Sequence, residues 1–265
     1  MKENSVSDEQ VIHINLEDVN YNFESYKDLY DYINKKIDSN KQYYVFLDEV
    51  QNVVEFQRAV DSLYIKKNVD VYITGSNAYL LSGELAILLS GRYIEIKMLP
   101  LSFKEYITVF DDNNYHKLFL DYMKNGGMPG NISILQNNPN DIDKYLDGIF
   151  STIVYKDIMI RNNISDKILL DNVLKFIFDS IGSPISTKKI SDTLTSKGIS
   201  TSNHTVENYI VAFLESFLIY KAERFDVKGK KLLVRDYKYY AVDPGLRSYL
   251  LGKRANSDMG HILEI

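Results

Sequence analysis

Hydrophobic and polar positions along this chain of 265 residues change their period partway through. In roughly the first hundred residues, short apolar runs recur: Val11 to Leu16, Tyr43 to Leu47 and Val69 to Ile73, each closed by polar residues, and Tyr93 to Met98. Runs this short, rich in β-branched and aromatic residues, predict strands. Between them the spacing widens to a helical period. Tyr26, Leu29, Tyr30, Ile33 and Ile37 share one helix face, and Leu80, Leu81, Leu85, Leu88 and Leu89 recur at helical spacing after Asn77. Strand alternating with helix predicts an α/β class with a parallel sheet and flanking helices. The run from Tyr44 to Leu47 has no polar interruption, so it is expected to be buried on both faces of that sheet.

Beyond Leu101 the pattern becomes helical. Ser102 and Glu105 make an S-x-x-E capping box that opens a helix, and Asp111 to Asn114 break it. A second helix is expected from about Tyr115 to Lys124, followed by the loop N-G-G-M-P-G-N; after a break at Gln136 to Asn140, a long helix runs from about Asp141 to Arg161. From about Asp166 the order is helix, helix, helix, strand, turn, strand, the plan of a winged-helix domain. Its second helix opens near Ser186, its third spans about Asn203 to Phe217, and L-I-Y-K-A-E-R-F and Y-K-Y-Y-A-V-D supply the wing. The expected domains are a core over residues 1–110, a helical lid or linker over 111–165, a winged helix over 166–250, and the start of a further domain over 251–265.

Chemistry enters at Asp48 and Glu49. They close an apolar strand, and ligands of parallel sheets bind beyond the carboxyl ends of the strands. In phosphoryl transfer one carboxylate helps hold Mg²⁺ and a second orients the attacking water; a strand that merely stops at two solvated carboxylates would look the same. Thr74-Gly75-Ser76-Asn77 ends the next strand. Asn77, with Ser76 as second choice, is the candidate for hydrogen-bonding a γ-phosphate or the water, and either residue also suits an N-cap. Arg92 stands at a helix–strand junction, where it could reach an adjacent subunit or domain as an arginine finger or simply oppose a helix dipole. No G-x-x-x-x-G-K-[ST] loop occurs anywhere in the sequence, so the phosphate-holding half of a P-loop site is missing from it.

The order Y-Y-V-F-L-D-E-V-Q, I-T-G-S-N, L-L-S-G-R-Y and M-L-P-L-S-F-K-E-Y resembles, over nearly the whole chain, the prokaryotic AAA+-type ATPases that carry a C-terminal domain of unknown function, relatives of the STAND-like group. The resemblance implies a partial P-loop-type sheet in which Asp48 and Glu49 form the Walker B segment, T-G-S-N with Asn77 is the sensor 1 region, and Arg92 is the arginine of the junction. It implies ATP and Mg as cofactors, with Mg held by Asp48 through the nucleotide. Gly127 and Pro129 lie in a G-G-x-P loop that in this group is near the nucleotide; a turn rich in breakers joining two helices is the simpler account of them. Such proteins begin with a strand, a Walker A loop and a helix, which are not in this sequence, and a segment like G-H-I-L-E-I opens a nuclease-like domain, of which Glu264 would be a trace. The chain itself is therefore expected to be incompetent in ATP hydrolysis.

Composition narrows the rest. Hydrophobic residues at 45% and charged residues at 25% are ordinary for a globular protein. With no cysteine, disulfides and thiolate sites are excluded. No signal-peptide pattern or membrane-length apolar run is present, which favours a cytoplasmic location. His13, His116, His204 and His261 have no metal-cluster spacing. The net charge of −5 gives no overall pull toward nucleic acid. The third winged-helix helix carries no Lys or Arg, so only Lys228, Lys230, Lys231 and Arg235 on the wing could oppose Glu207. Weak, non-specific DNA binding is expected, or else self-association or contact with a partner protein. The alternative to an ATP-driven switch or motor is a winged-helix nucleic-acid-binding regulator with a vestigial ATPase core.

Overall fold

Val11–Asn15 (β1), Tyr43–Asp48 (β2) and Val69–Ile73 (β3) pair in that order as a parallel sheet in the computed structural model, which describes residues 6–75, 91–223 and 236–252. The register sets Asn15 opposite Asp48 and Phe46 opposite Tyr72. Between the strands run Tyr26–Asn34 (α1), capped by Ser25, whose side chain accepts from the Asp28 amide, and Phe56–Tyr64 (α2). These elements belong to the first of two compact units, which divide between Glu95 and Ile96.

Parallel crossovers are right-handed. With strands following one another in chain order, both helices must then fall on the same face of the sheet. There Leu29, Ile33, Phe56 and Leu63 share a core with Ile14, Val45 and Leu47. The opposite face is only half covered: Tyr44 and Phe46 are partly exposed and Tyr72 is 41% exposed, with the Phe46 and Tyr72 rings stacked 4.6 Å apart. The uninterrupted apolar run in β2 is thus buried on one face rather than two, because neither α1 nor α2 can reach the other.

The strand expected at Tyr93 to Met98 is not formed. This stretch has no regular structure, and Ile94 and Met98 are 90% and 84% exposed. A strand needs a paired neighbour, and among the described residues the sheet ends at β3. The helix expected after Asn77 lies outside the described residues.

The second unit opens with Phe103–Ile107 (α3), whose capping box is complete: the Glu105 amide donates to Ser102 Oγ, and the Ser102 amide donates to Glu105 Oε2 at 2.8 Å. Tyr115–Asn125 (α4), Pro129–Asn137 (α5) and Ile142–Thr152 (α6) follow, and α6 runs on into π-helical turns over Ile153–Ile160. Next come Lys167–Asp179 (α7), Thr187–Ser196 (α8) and Asn203–Glu215 (α9), then the antiparallel strands Ile219–Ala222 (β4) and Lys238–Ala241 (β5), and Pro244–Leu251 (α10). One core runs from Ile142 and Phe150 through Val173, Phe178 and Phe213 to Leu246. It extends across position 165, where a domain boundary was expected.

A buried carboxylate locks this unit. Asp243 is 1% exposed. It caps α10 by accepting from the Leu246 amide at 2.9 Å and also accepts from the Gly127 amide at 2.7 Å. The chain can approach this closely only because residues 126, 127 and 245 lack side chains. A Cβ on Gly245 would stand 2.2 Å from the Asn125 carbonyl oxygen and 2.6 Å from the Gly126 nitrogen, and neither atom can turn aside as a side chain could. We expect Gly245→Ala to destabilise the protein by roughly 1–3 kcal/mol. Gly148→Ala, in an exposed helical position with nothing within 4 Å of the new methyl, should stabilise it by roughly 0.5–1 kcal/mol. Urea midpoints of the two variants check this, and equal midpoints would refute it.

Candidate functional site

The carboxyl edge of the three-stranded sheet carries Asp48 and Glu49, with Thr74 and His13 against them. Asp48 is the last residue of β2, and its side chain takes the open face, two residues on from Phe46. The next strand delivers Thr74, whose hydroxyl donates to Asp48 Oδ1 at 2.9 Å and accepts from the Glu49 amide at 3.3 Å. One hydroxyl therefore ties both residues of the acidic pair to β3. On the other side, His13 of β1 sets Nε2 2.7 Å from Asp48 Oδ2. These contacts hold the Asp48 carboxyl below its usual range, the His13 hydrogen bond acting most strongly; burial opposes the shift, and the Thr74 hydrogen bond adds to it.

Glu49 points elsewhere. Its backbone is left-handed, φ 57° and ψ 50°, a conformation that costs a residue with a Cβ about 1–2 kcal/mol. Adjacent carboxylates consequently leave the strand end in different directions. The Glu49 carboxylate accepts from Gln51 Nε2, while Gln51 Oε1 is buried without a hydrogen-bond partner. Backbone strain and an orphaned buried acceptor beside two carboxylates are features that cluster at functional sites.

The donor set is carboxylate and hydroxyl oxygen with one imidazole. No group of three or more His, Cys, Asp or Glu residues that could hold a metal ion occurs among the described residues. This suits Mg²⁺, which needs only one or two protein carboxylates and completes its shell with phosphate and water.

Of the other residues singled out from the sequence, Ser76 and Asn77 lie outside the described residues, as do Lys228, Lys230, Lys231, Arg235 and Glu264. Arg92 donates from Nη1 to Asp61 Oδ1 at 3.1 Å. Asp61 lies in the second half of α2, away from the end that follows Asp48 and Glu49. Gly127 belongs to the second unit, where its amide donates to Asp243 and its carbonyl accepts from the Leu101 amide at 2.7 Å. Pro129 is the first residue of α5. Sequence reasoning missed His13, Thr74 and Gln51 as site residues. His13 had one signal, as an ionisable residue at an alternating position within an apolar strand.

Known proteins bear on this arrangement. Residues 1–107 match the family model described as AAA domain, and residues 116–257 match that described as Domain of unknown function (DUF8612). An uncharacterised protein of Haemophilus influenzae is 38% identical over 260 residues, covering 96% of this chain and 64% of its own length. An uncharacterised protein of Methanocaldococcus jannaschii is 32% identical over 238 residues, covering 83% of this chain and 51% of its own. A solved structure, the Walker-type ATPase of Pyrococcus abyssi, superposes with a TM-score of 0.52 at 17% identity, over 85% of this chain and 66% of that one. The chain thus spans between about half and two thirds of each.

The Asp48 contacts set a pH dependence. A carboxyl whose folded pKa is lowered stabilises the fold above its ordinary value of 3.8, and that stabilisation is lost as pH falls through the lower, folded value. In an NMR titration we expect the Asp48 carboxyl to titrate below 3.8. His13→Ala should move it upward, and Thr74→Val should do so by less. A midpoint indifferent to His13→Ala would show that the contact is absent in solution.

Proposed function

Because the chain belongs to the DUF8612 family and carries an AAA-like ATPase fold, we propose that it supplies the metal- and water-handling half of an ATP-hydrolysing site of the AAA+ type. One observation carries this reading: two adjacent acidic residues at the carboxyl edge of a parallel sheet, the first held to Thr74 of the neighbouring strand by its carboxylate and the second by its main-chain amide, with the backbone turning left-handed at the second. Asp48 and Glu49 act as a Walker B pair. Asp48, fixed between His13 and Thr74, would hold Mg²⁺ that arrives with ATP. When bound, that ion neutralises charge on the phosphates. Glu49 orients the attacking water and takes its proton. Asn77, with Ser76 second, serves as the sensor. For Arg92 to act as a finger, it must first leave Asp61.

The sequence contains no phosphate-binding loop, so the backbone amides and lysine that cradle the phosphates must come from outside these 265 residues. By handedness, a strand added beside β3 whose helix leads back to β1 would lie on the open face of the sheet. That face carries Phe46, Tyr72 and Asp48. Both the edge of β3, unpaired among the described residues, and the half-covered aromatic pair support this arrangement.

In the second unit we read α7, α8, α9, β4 and β5 as a winged helix, a reading supported by the bridge from Ile185 to Tyr237 beside the β4–β5 pair. Its polar groups favour protein over DNA. Asn203 accepts from Ser191, Lys221 is paired with Glu223 at 2.9 Å, and the exposed side of α9 offers Glu207 with His204 and Asn208.

Three outcomes follow from these readings. The chain alone should bind Mg-ATP weakly or not at all, and micromolar affinity by titration calorimetry would overturn the half-site. In a polypeptide that also carries the phosphate-binding strand, loop and helix, Glu49→Gln should keep nucleotide binding and cut turnover by roughly 100-fold or more; wild-type turnover would remove Glu49 from the chemistry. The second unit should bind duplex DNA without sequence preference and lose it by physiological salt, whereas a nanomolar selective complex at that salt would favour a nucleic-acid regulator.

A further inference from the structure

A cleft of about 350 Å³ lies in the second unit, between α3, one face of α4 and the turn that leads from α5 into α6. Phe110, Leu118, Leu135 and Ile142 give it apolar walls. Four polar residues on its lining are left with work undone. Tyr106 has its ring buried against the cleft, and its hydroxyl has no hydrogen-bond partner among the described residues. Asn125 is 6% exposed; its main-chain carbonyl accepts from Asn131 Nδ2, and its side-chain amide has no hydrogen-bond partner among the described residues. Both groups reach the open space of the cleft and are available to a molecule that enters it.

The other two are charged. Asp121 and Lys124 stand three residues apart on the cleft-facing side of α4, close enough in principle to bridge, and neither makes an ion pair among the described residues. Their neighbours behave differently, since Lys117 Nζ is 3.2 Å from Asp112 Oδ2. Burial and the nearby Asp121 carboxylate push the Tyr106 hydroxyl up to about 12, so it stays a neutral donor and acceptor at any physiological pH. A pocket of this size with apolar walls and a few convergent polar groups is what a small ligand requires. With one uncommitted charge of each sign, a phosphate ligand would meet Asp121 repulsively, and an uncharged one would leave both charges unanswered.

We propose that this cleft binds a small zwitterion with an apolar body, of the size of an amino acid or dipeptide. Its ammonium faces Asp121 and its carboxylate faces Lys124, with Tyr106 and Asn125 completing the hydrogen bonds. The apolar part lies against Leu118, Leu135 and Ile142. The inference does not depend on the ATPase reading.

The test uses the full chain and the probes L-leucine, L-phenylalanine and L-leucyl-L-leucine, followed by titration calorimetry and by the melting temperature. At least one probe should bind saturably at millimolar concentration or below and raise the melting temperature. Leucinamide, which lacks the carboxylate, and 4-methylpentanoate, which lacks the ammonium, should each bind about tenfold or more weakly. Lys124→Gln, at an exposed position that leaves the fold intact, should lose binding to a similar degree, as should Asp121→Asn. Tyr106→Phe should weaken it by less. Failure of all three probes at millimolar concentration, binding of the two truncated analogues as tight as that of L-leucine, or binding indifferent to Lys124→Gln would each overturn the proposal.

Discussion

The right-handed crossover governs the first unit. Three parallel strands laid down in chain order allow their two connecting helices only one face, and everything else about the site follows from that restriction. Ile14, Val45 and Leu47 are committed to the helices, while the residues that alternate with them, His13, Phe46 and Asp48, look the other way. The same period of two that builds the core therefore brings the imidazole and the first carboxylate together on the accessible side. Stability and chemistry are assigned to opposite faces of one sheet.

The second unit is held by different means. Its core is a single apolar mass drawn from α6 through α10, and its tightest point is polar. Asp243 reaches across the chain to the amide of Gly127, and Arg247, one turn further along α10, donates to the Phe178 carbonyl at 3.0 Å. Burial raises the Asp243 carboxyl, against the pull of its Leu246, Gly127 and Gly245 amides. Gly126 and Gly127 of the loop N-G-G-M-P-G-N permit this close approach.

Local rules made much of the fold legible. The strands at Val11 and Tyr43, the capping box of Ser102 and Glu105, and the helix starts at Ser186 and Asn203 are each set by a few adjacent residues, and each is found where the sequence puts it. What escaped depends on distant partners. His13 meets Asp48 across 35 positions, a contact that needs the strand register. The Tyr93 to Met98 run reads as a strand by composition, yet composition cannot supply the neighbour it must pair with. The apolar run in β2 promised two buried faces, since nothing within it reveals which side the crossovers will take.

The left-handed backbone at Glu49 restricts which substitutions this position can tolerate. Glycine, asparagine and aspartate would relieve the strain there, so a survey of random variants selected for folding alone should drift toward them. Glutamate would persist only where a longer carboxylate is itself under selection. The backbone angle thus turns Glu49 into a gauge that separates what the fold prefers from what the activity demands.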